Sequence, residues 1–130
     1  IARRLAEAPD PARGVAQARI MLSRQKAALA AGDLEHFRDM DHAFHGALFE
    51  SAGVAPLWDL VTGRSGHIDR LRQLNLPDPG KTAEILACHD GILDAIAAGD
   101  AAEAEAQVRL HLSGTLRQID QIIARWPAFF

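Results

Sequence analysis

Residues 30–53, AAGDLEHFRDMDHAFHGALFESAG, decide the fold. Gly32 stops one helix and Asp33 caps the next, since a short carboxylate accepts from the orphan N–H groups of a first turn. From Leu34 onward the apolar residues recur three and four apart: Phe37, Phe44 and Leu48, with Met40 and Phe49 beside them. This is the period of an amphipathic helix, and Gly53 ends it after Ala52. Two polar residues stand inside the stripe. Asp41 follows Phe37 by four positions and His45 follows Asp41 by four. One face that buries phenylalanines therefore also presents a carboxylate and an imidazole, their Cβ atoms about 6 Å apart.

The rest of the chain keeps the helical period. Val, Ile and Thr are sparse, Ala, Leu, Arg and Glu are abundant, and no Asn-Gly or Asp-Gly hairpin separates alternating runs. The pattern predicts a first helix from Ile1 to Ala8, stopped by Pro9. Asp10-Pro11 starts a second, running to Ala31 with Val15, Ala18, Leu22 and Leu29 on its stripe. A fourth spans Ala55 to Leu74, weakened by Gly63 and Gly66, and Pro77 and Pro79 bound a loop. The fifth runs from Lys81 to Ala98 and ends at Gly99. Asp100 with Glu103 resembles a capping box for the last, which stops before Pro127. Ala-Ala-Gly-Asp occurs at 30–33 and again at 97–100, one stop-and-start device used twice. Short connections between long helices imply an all-α antiparallel bundle of about six helices in one domain over 1–130.

Bulk properties exclude several classes. Of 130 residues, 48% are hydrophobic and 24% charged, which suits a packed domain rather than a disordered chain. No apolar run is long enough for a bilayer, so no membrane partner is expected. A net charge of −3 gives no basic face for nucleic acid. The single cysteine, Cys88, forms no internal disulfide, which fits a reducing cytoplasm. The chain opens on Ile1 already in a helix-like pattern, without a signal peptide, and reads as the later part of a longer protein.

Two further helices repeat the anomaly of the third. His89 stands between Ile85 and Ile92 on the fifth helix, whose stripe continues to Ile96. His111 stands inside the stripe Val108, Thr115, Ile119, Ile122 of the last. A single in-stripe histidine is more often a satisfied core residue than a ligand. Four buried polar groups on three helices make sense together around a cation, because each buried alone is costly. Three imidazoles and a carboxylate suit a divalent ion, zinc or nickel first, manganese or cobalt after them, with positions open for water or a carboxylate ligand. Cys88 points about 100° away from His89 and is no ligand.

The remaining histidines read differently. His36 and His42 fall off the stripe and are expected in solvent. His67 shares a face with Leu60, Arg64, Leu71 and Leu74. Arg64 and His67 are candidates for meeting an anionic small molecule beside the metal, with a salt bridge to a partner helix as the equal alternative, whereas Arg70 and Arg72 read most simply as a solvated face from which Arg70 could reach the same side. Trp58 and Trp126 read as packing residues.

Asp41-His42-Ala43-Phe44-His45 resembles the D-x-x-F-H motif of the FCD domain. His89 in His-Asp-Gly-Ile-Leu-Asp-Ala-Ile, then Ala-Ala-Gly-Asp, then His111-Leu112, match that domain's later motifs in order and spacing. The family forms the C-terminal effector-sensing halves of FadR-subfamily GntR transcription regulators. The resemblance implies a helical bundle, a metal held by Asp41, His45, His89 and His111, and a small carboxylate effector at that metal. It also implies a winged helix-turn-helix upstream that binds operator DNA, in a homodimer. Departures are Cys88, where the family usually has Glu, Val54, where it often has Asn, and the glycines Gly63 and Gly66. The metal-free, acyl-CoA-binding branch is disfavoured because all four ligands are present.

Two rivals remain from the residues themselves. A di-iron bundle enzyme needs Glu-x-x-His pairs, and no histidine here has Glu three residues before it. A mononuclear hydrolase needs a general base, and no further carboxylate lies on the ligand-bearing stripes. The chain is therefore read as a non-enzyme. A purely structural metal staple is the third reading, and it expects a closed site that binds no small molecule.

Overall fold

The computed structural model describes residues 1–64, 66, 70, 79–117, 123–125 and 127–129. No strand occurs among them, and the architecture is an all-α bundle, as the periodicity requires. The helices that build it are α1 (Ala2–Ala6), α2 (Pro11–Gly14), α3 (Ala16–Ala30), α4 (Leu34–Ser51), α5 (Ala55–Thr62), α6 (Pro79–Ala97) and α7 (Ala101–Arg117). Helices α3 and α4 pack as one hairpin and α6 and α7 as another. The hairpins meet where α3 lies on α6.

The repeated Ala-Ala-Gly-Asp builds both hairpin turns. Gly32 and Gly99 take φ of 71° and 73°, a region closed to most residues with a Cβ. Each turn is then locked by paired bonds, Gly32 N–H to Leu29 O with Asp33 N–H to Ala28 O, and Gly99 N–H to Ile96 O with Asp100 N–H to Ala95 O. The aspartates next cap the helices that follow: Asp33 accepts from His36 N–H and Asp100 from Glu103 N–H, both at 3.0 Å. The expected capping box is only half formed. Asp100 N–H is already held by Ala95 O, and Glu103 instead accepts from Gln107 at 2.7 Å. Gly99→Ala is expected to cost about 1–2 kcal/mol, because alanine must enter the left-handed region. A urea midpoint unchanged by the substitution would show that the turn does not need it.

The second predicted helix is in fact two. It breaks between Gly14 and Ala16, with Val15 at φ −103°, ψ 1°. Gly14 weakens the helix there. The bent Val15 is fully buried in the main core, which compensates for the lost helical geometry. The fourth predicted helix is interrupted, α5 stopping at Thr62 with Gly63 as its cap, while Gly66 and Arg70 beyond it are again helical. Most of its expected continuation to Leu74 lies outside the described residues, as do Ile119, Ile122 and Trp126.

The main core joins Val15, Leu22, Phe44, Leu48, Ile92 and Ile96. Helix α1 closes one end of it through Leu5 and Ala6. Arg3 ties α1 to α7 by donating to Glu105 at 2.9 Å. Hydrogen bonds from Arg109 and from Arg3 hold the Glu105 carboxyl below the usual carboxylate range. This tie is therefore complete at neutral pH and is lost as acid protonates Glu105.

Candidate metal centre

Helices α4, α6 and α7 bring the four in-stripe polar side chains to one place. Asp41 and His45 lie one turn apart on α4, so a single rigid helix sets their spacing. His89 enters from α6 and is 0% exposed. His111 enters from α7. His89 Nε2 lies 3.4 Å from Asp41 Oδ1 and 3.2 Å from His111 Nε2. His45 Nε2 lies 3.8 Å from Asp41 Oδ1. The ligating atoms of His45, His89 and His111 all fall within 4.8 Å of one another.

Nitrogen ligands at about 2.1 Å from a common ion stand roughly 3.0–3.4 Å apart. The His89–His111 separation already has that value, and the remaining histidine pairs, within 4.8 Å, would draw inward around an ion. The donor set, three borderline imidazoles and one hard carboxylate, fits a divalent first-row cation.

Packing fixes the rings. The Phe44 ring stacks on His89 with centroids 3.9 Å apart and planes 9° from parallel. His45 and His111 stack on each other at 5.4 Å, and both stand nearly edge-on to His89.

The sequence reading missed Gln25. It is 0% exposed and sits on the stripe of α3 between Leu22 and Leu29, the same signal that singled out the histidines. Its Nε2 donates to Asp41 Oδ1 at 3.4 Å, and its Oε1 lies 2.9 Å from His89 Nδ1. An ionised carboxylate only accepts, so the amide turns its nitrogen to Asp41 and its oxygen to His89. That oxygen in turn requires the His89 proton on Nδ1, which leaves the Nε2 lone pair aimed at Asp41 and His111. Gln25 thus orients two of the candidate ligands from behind. Gln25→Leu is expected to weaken zinc binding about 10–100-fold, read by competition with a chelating dye. An unchanged affinity would remove Gln25 from the centre.

A cavity of about 700 Å³ opens beside the cluster, lined by Asp41, His45 and His111. Its wall includes Arg38, Asp39 and His42 from α4, and Trp58 from α5. His42, expected in solvent, is exposed toward this cavity and rests on the Trp58 ring with centroids 4.8 Å apart. Asp39 is a further carboxylate near the cluster that the stripes did not reveal. Arg64 and Arg70 are exposed and are not among the described lining residues, and His67 lies outside the described residues.

Among known proteins, the FCD domain family matches residues 1–114. An uncharacterised HTH-type transcriptional regulator in an unstable DNA locus of Streptomyces ambofaciens is 37% identical over 98 residues, covering 75% of this chain and 42% of that protein. The HTH-type transcriptional repressor RspR of Escherichia coli K12 is 27% identical over 108 residues, covering 81% of this chain and 47% of the repressor. The uncharacterised HTH-type regulator YdfH of Shigella flexneri matches to the same extent. The chain thus spans less than half the length of these relatives. The helical bundle, the motif order along α4, α6 and α7 and the family match over 1–114 agree, and this chain belongs to the FCD domain family.

Proposed function

We propose that this chain is the effector-sensing domain of a FadR-subfamily GntR transcription regulator, which holds a divalent cation at Asp41, His45, His89 and His111 and a small carboxylate in the adjoining cavity. The observation that carries the reading is the convergence of these four side chains from three helices, three of which, Asp41, His45 and His111, line a 700 Å³ cavity. A cation there, zinc or nickel before manganese or cobalt, would supply a Lewis-acidic point with room for a carboxylate oxygen. The chain's own residues orient the ligands through Gln25 and Phe44, exclude water from His89, and shape the cavity through Trp58. The open cavity favours a sensor over a closed structural staple.

The similarity to HTH-type regulators, of whose length the matched segment covers 42% and 47%, supports a DNA-binding domain upstream. Operator DNA would meet that domain and not this chain, whose net charge is −3. The full-length protein is read as a cytoplasmic homodimer and as a non-enzyme, since its relatives are regulators. No helix among the described residues is long and apolar enough to cross a membrane. The effector biases DNA binding only insofar as it binds one arrangement of the protein better than the other.

Thermal-shift measurements against a panel of small carboxylic acids, with zinc and after chelation, test the effector half of this reading. At least one acid should raise the melting temperature only when zinc is present. A panel that shifts the chelated protein equally would separate acid binding from the metal and contradict the reading.

A further inference from the structure

The cavity wall says what kind of acid it takes. Beyond the candidate ligands, the apolar part of its described lining includes Leu48, Phe49, Trp58, Val61 and Leu112. Trp58 is a fixed part of it. A Cβ at Gly46 would lie 2.9 Å from Trp58 Nε1, so glycine alone lets the indole press onto α4. Phe49 backs the indole at 5.1 Å and His42 at 4.8 Å. A large aromatic face is therefore held in place before any ligand arrives.

Among the described residues, the polar groups of the wall do little for a hydroxylated or doubly charged ligand: the His42 ring lies against Trp58. The Thr62 hydroxyl donates to the Trp58 and Asp59 carbonyls, at 3.0 and 3.2 Å. Arg38 and Asp39 are adjacent and of opposite sign, so together they add no net charge to attract a second carboxylate. A three-carbon hydroxy acid occupies on the order of 150 Å³, judged against about 30 Å³ for a water, and leaves most of the cavity unfilled.

We infer that the cavity selects a monocarboxylate with a bulky apolar body, aromatic or branched, whose carboxylate sits at the cluster and whose body lies on Trp58. The inference rests on the metal-and-acid reading above and narrows it to one ligand class.

Calorimetric titration of the zinc-loaded chain with 3-phenylpropanoate, lactate and malate tests it. 3-Phenylpropanoate should bind at least about tenfold more tightly than lactate or malate, the effect of burying one phenyl ring. Trp58→Ala should remove about tenfold of that preference. Val61→Asn, at a position already 41% exposed and so compatible with folding, should weaken 3-phenylpropanoate about threefold and leave lactate unchanged. Lactate or malate binding as tightly as 3-phenylpropanoate would overturn the ligand class while leaving the acid-sensing reading in place. Zinc-loaded protein that binds none of the three would overturn both.

Discussion

His89→Ala is expected to reduce bound zinc from about one ion per chain to nearly none, the largest effect of any single ligand substitution. His89 is the innermost of the four groups, at 0% exposure, and its Nε2 lies 3.4 Å from Asp41 Oδ1 and 3.2 Å from His111 Nε2. Truncation removes a ligand and also the group that fixes Gln25, leaving a buried amide oxygen unsatisfied at about 1–3 kcal/mol. With free zinc at a thousand times its dissociation constant, the native chain gains about 4 kcal/mol of stability that the variant cannot gain. Elemental analysis after dialysis and thermal melts with and without zinc read both effects. Full zinc retention by the variant would mean that the ion sits elsewhere.

Phe44→Ala is expected to cost about 3–5 kcal/mol, the range for deleting a fully buried aromatic ring. Phe44 is 0% exposed and belongs to the main core, and its ring also stacks on His89 and stands edge-on to His45 at 5.2 Å. At this chain length the loss lowers the melting temperature by on the order of 10–20 °C. Zinc should recover part of it, because the four ligands remain. A loss under about 1 kcal/mol would contradict the place of Phe44 in the main core. The two substitutions separate the roles of neighbouring residues. Removing His89 abolishes the response to zinc, whereas removing Phe44 lowers stability and keeps the response.

The frame of the bundle was legible because its signals are local. The bounds of α4 and the turns at Gly32 and Gly99 follow from capping chemistry and positive φ, which the chain states within four residues. The convergence of Asp41, His45, His89 and His111 was legible for a different reason: each breaks an apolar stripe, and stripes face a common core. The same rule, applied to α3, would have found Gln25. A neutral amide did not attract notice as an imidazole does, although a buried amide also requires partners.

Other features depend on contacts distant in sequence. The break at Val15 arises because its side chain completes a core built by α4, α6 and α7, and Gly14 alone is a weak sign of it. The cavity's composition depends on how α5 leans on α4, which Gly46 permits, and no periodicity shows that. This is why Arg38, His42 and Trp58 were overlooked as wall residues, while Arg64, His67 and Arg70 drew attention through helical spacing with leucines. The expected helix continued past Gly63, whereas α5 ends there.

The most direct test of the account is a zinc titration of the chelator-stripped chain, followed by calorimetry and repeated with nickel. The account predicts saturable binding of about one ion per chain, reversed by chelator, with tightness lowered by Gln25→Leu and lost in His89→Ala. A native chain that takes up neither ion at micromolar concentrations would contradict the central claim that these four converging side chains form a metal centre.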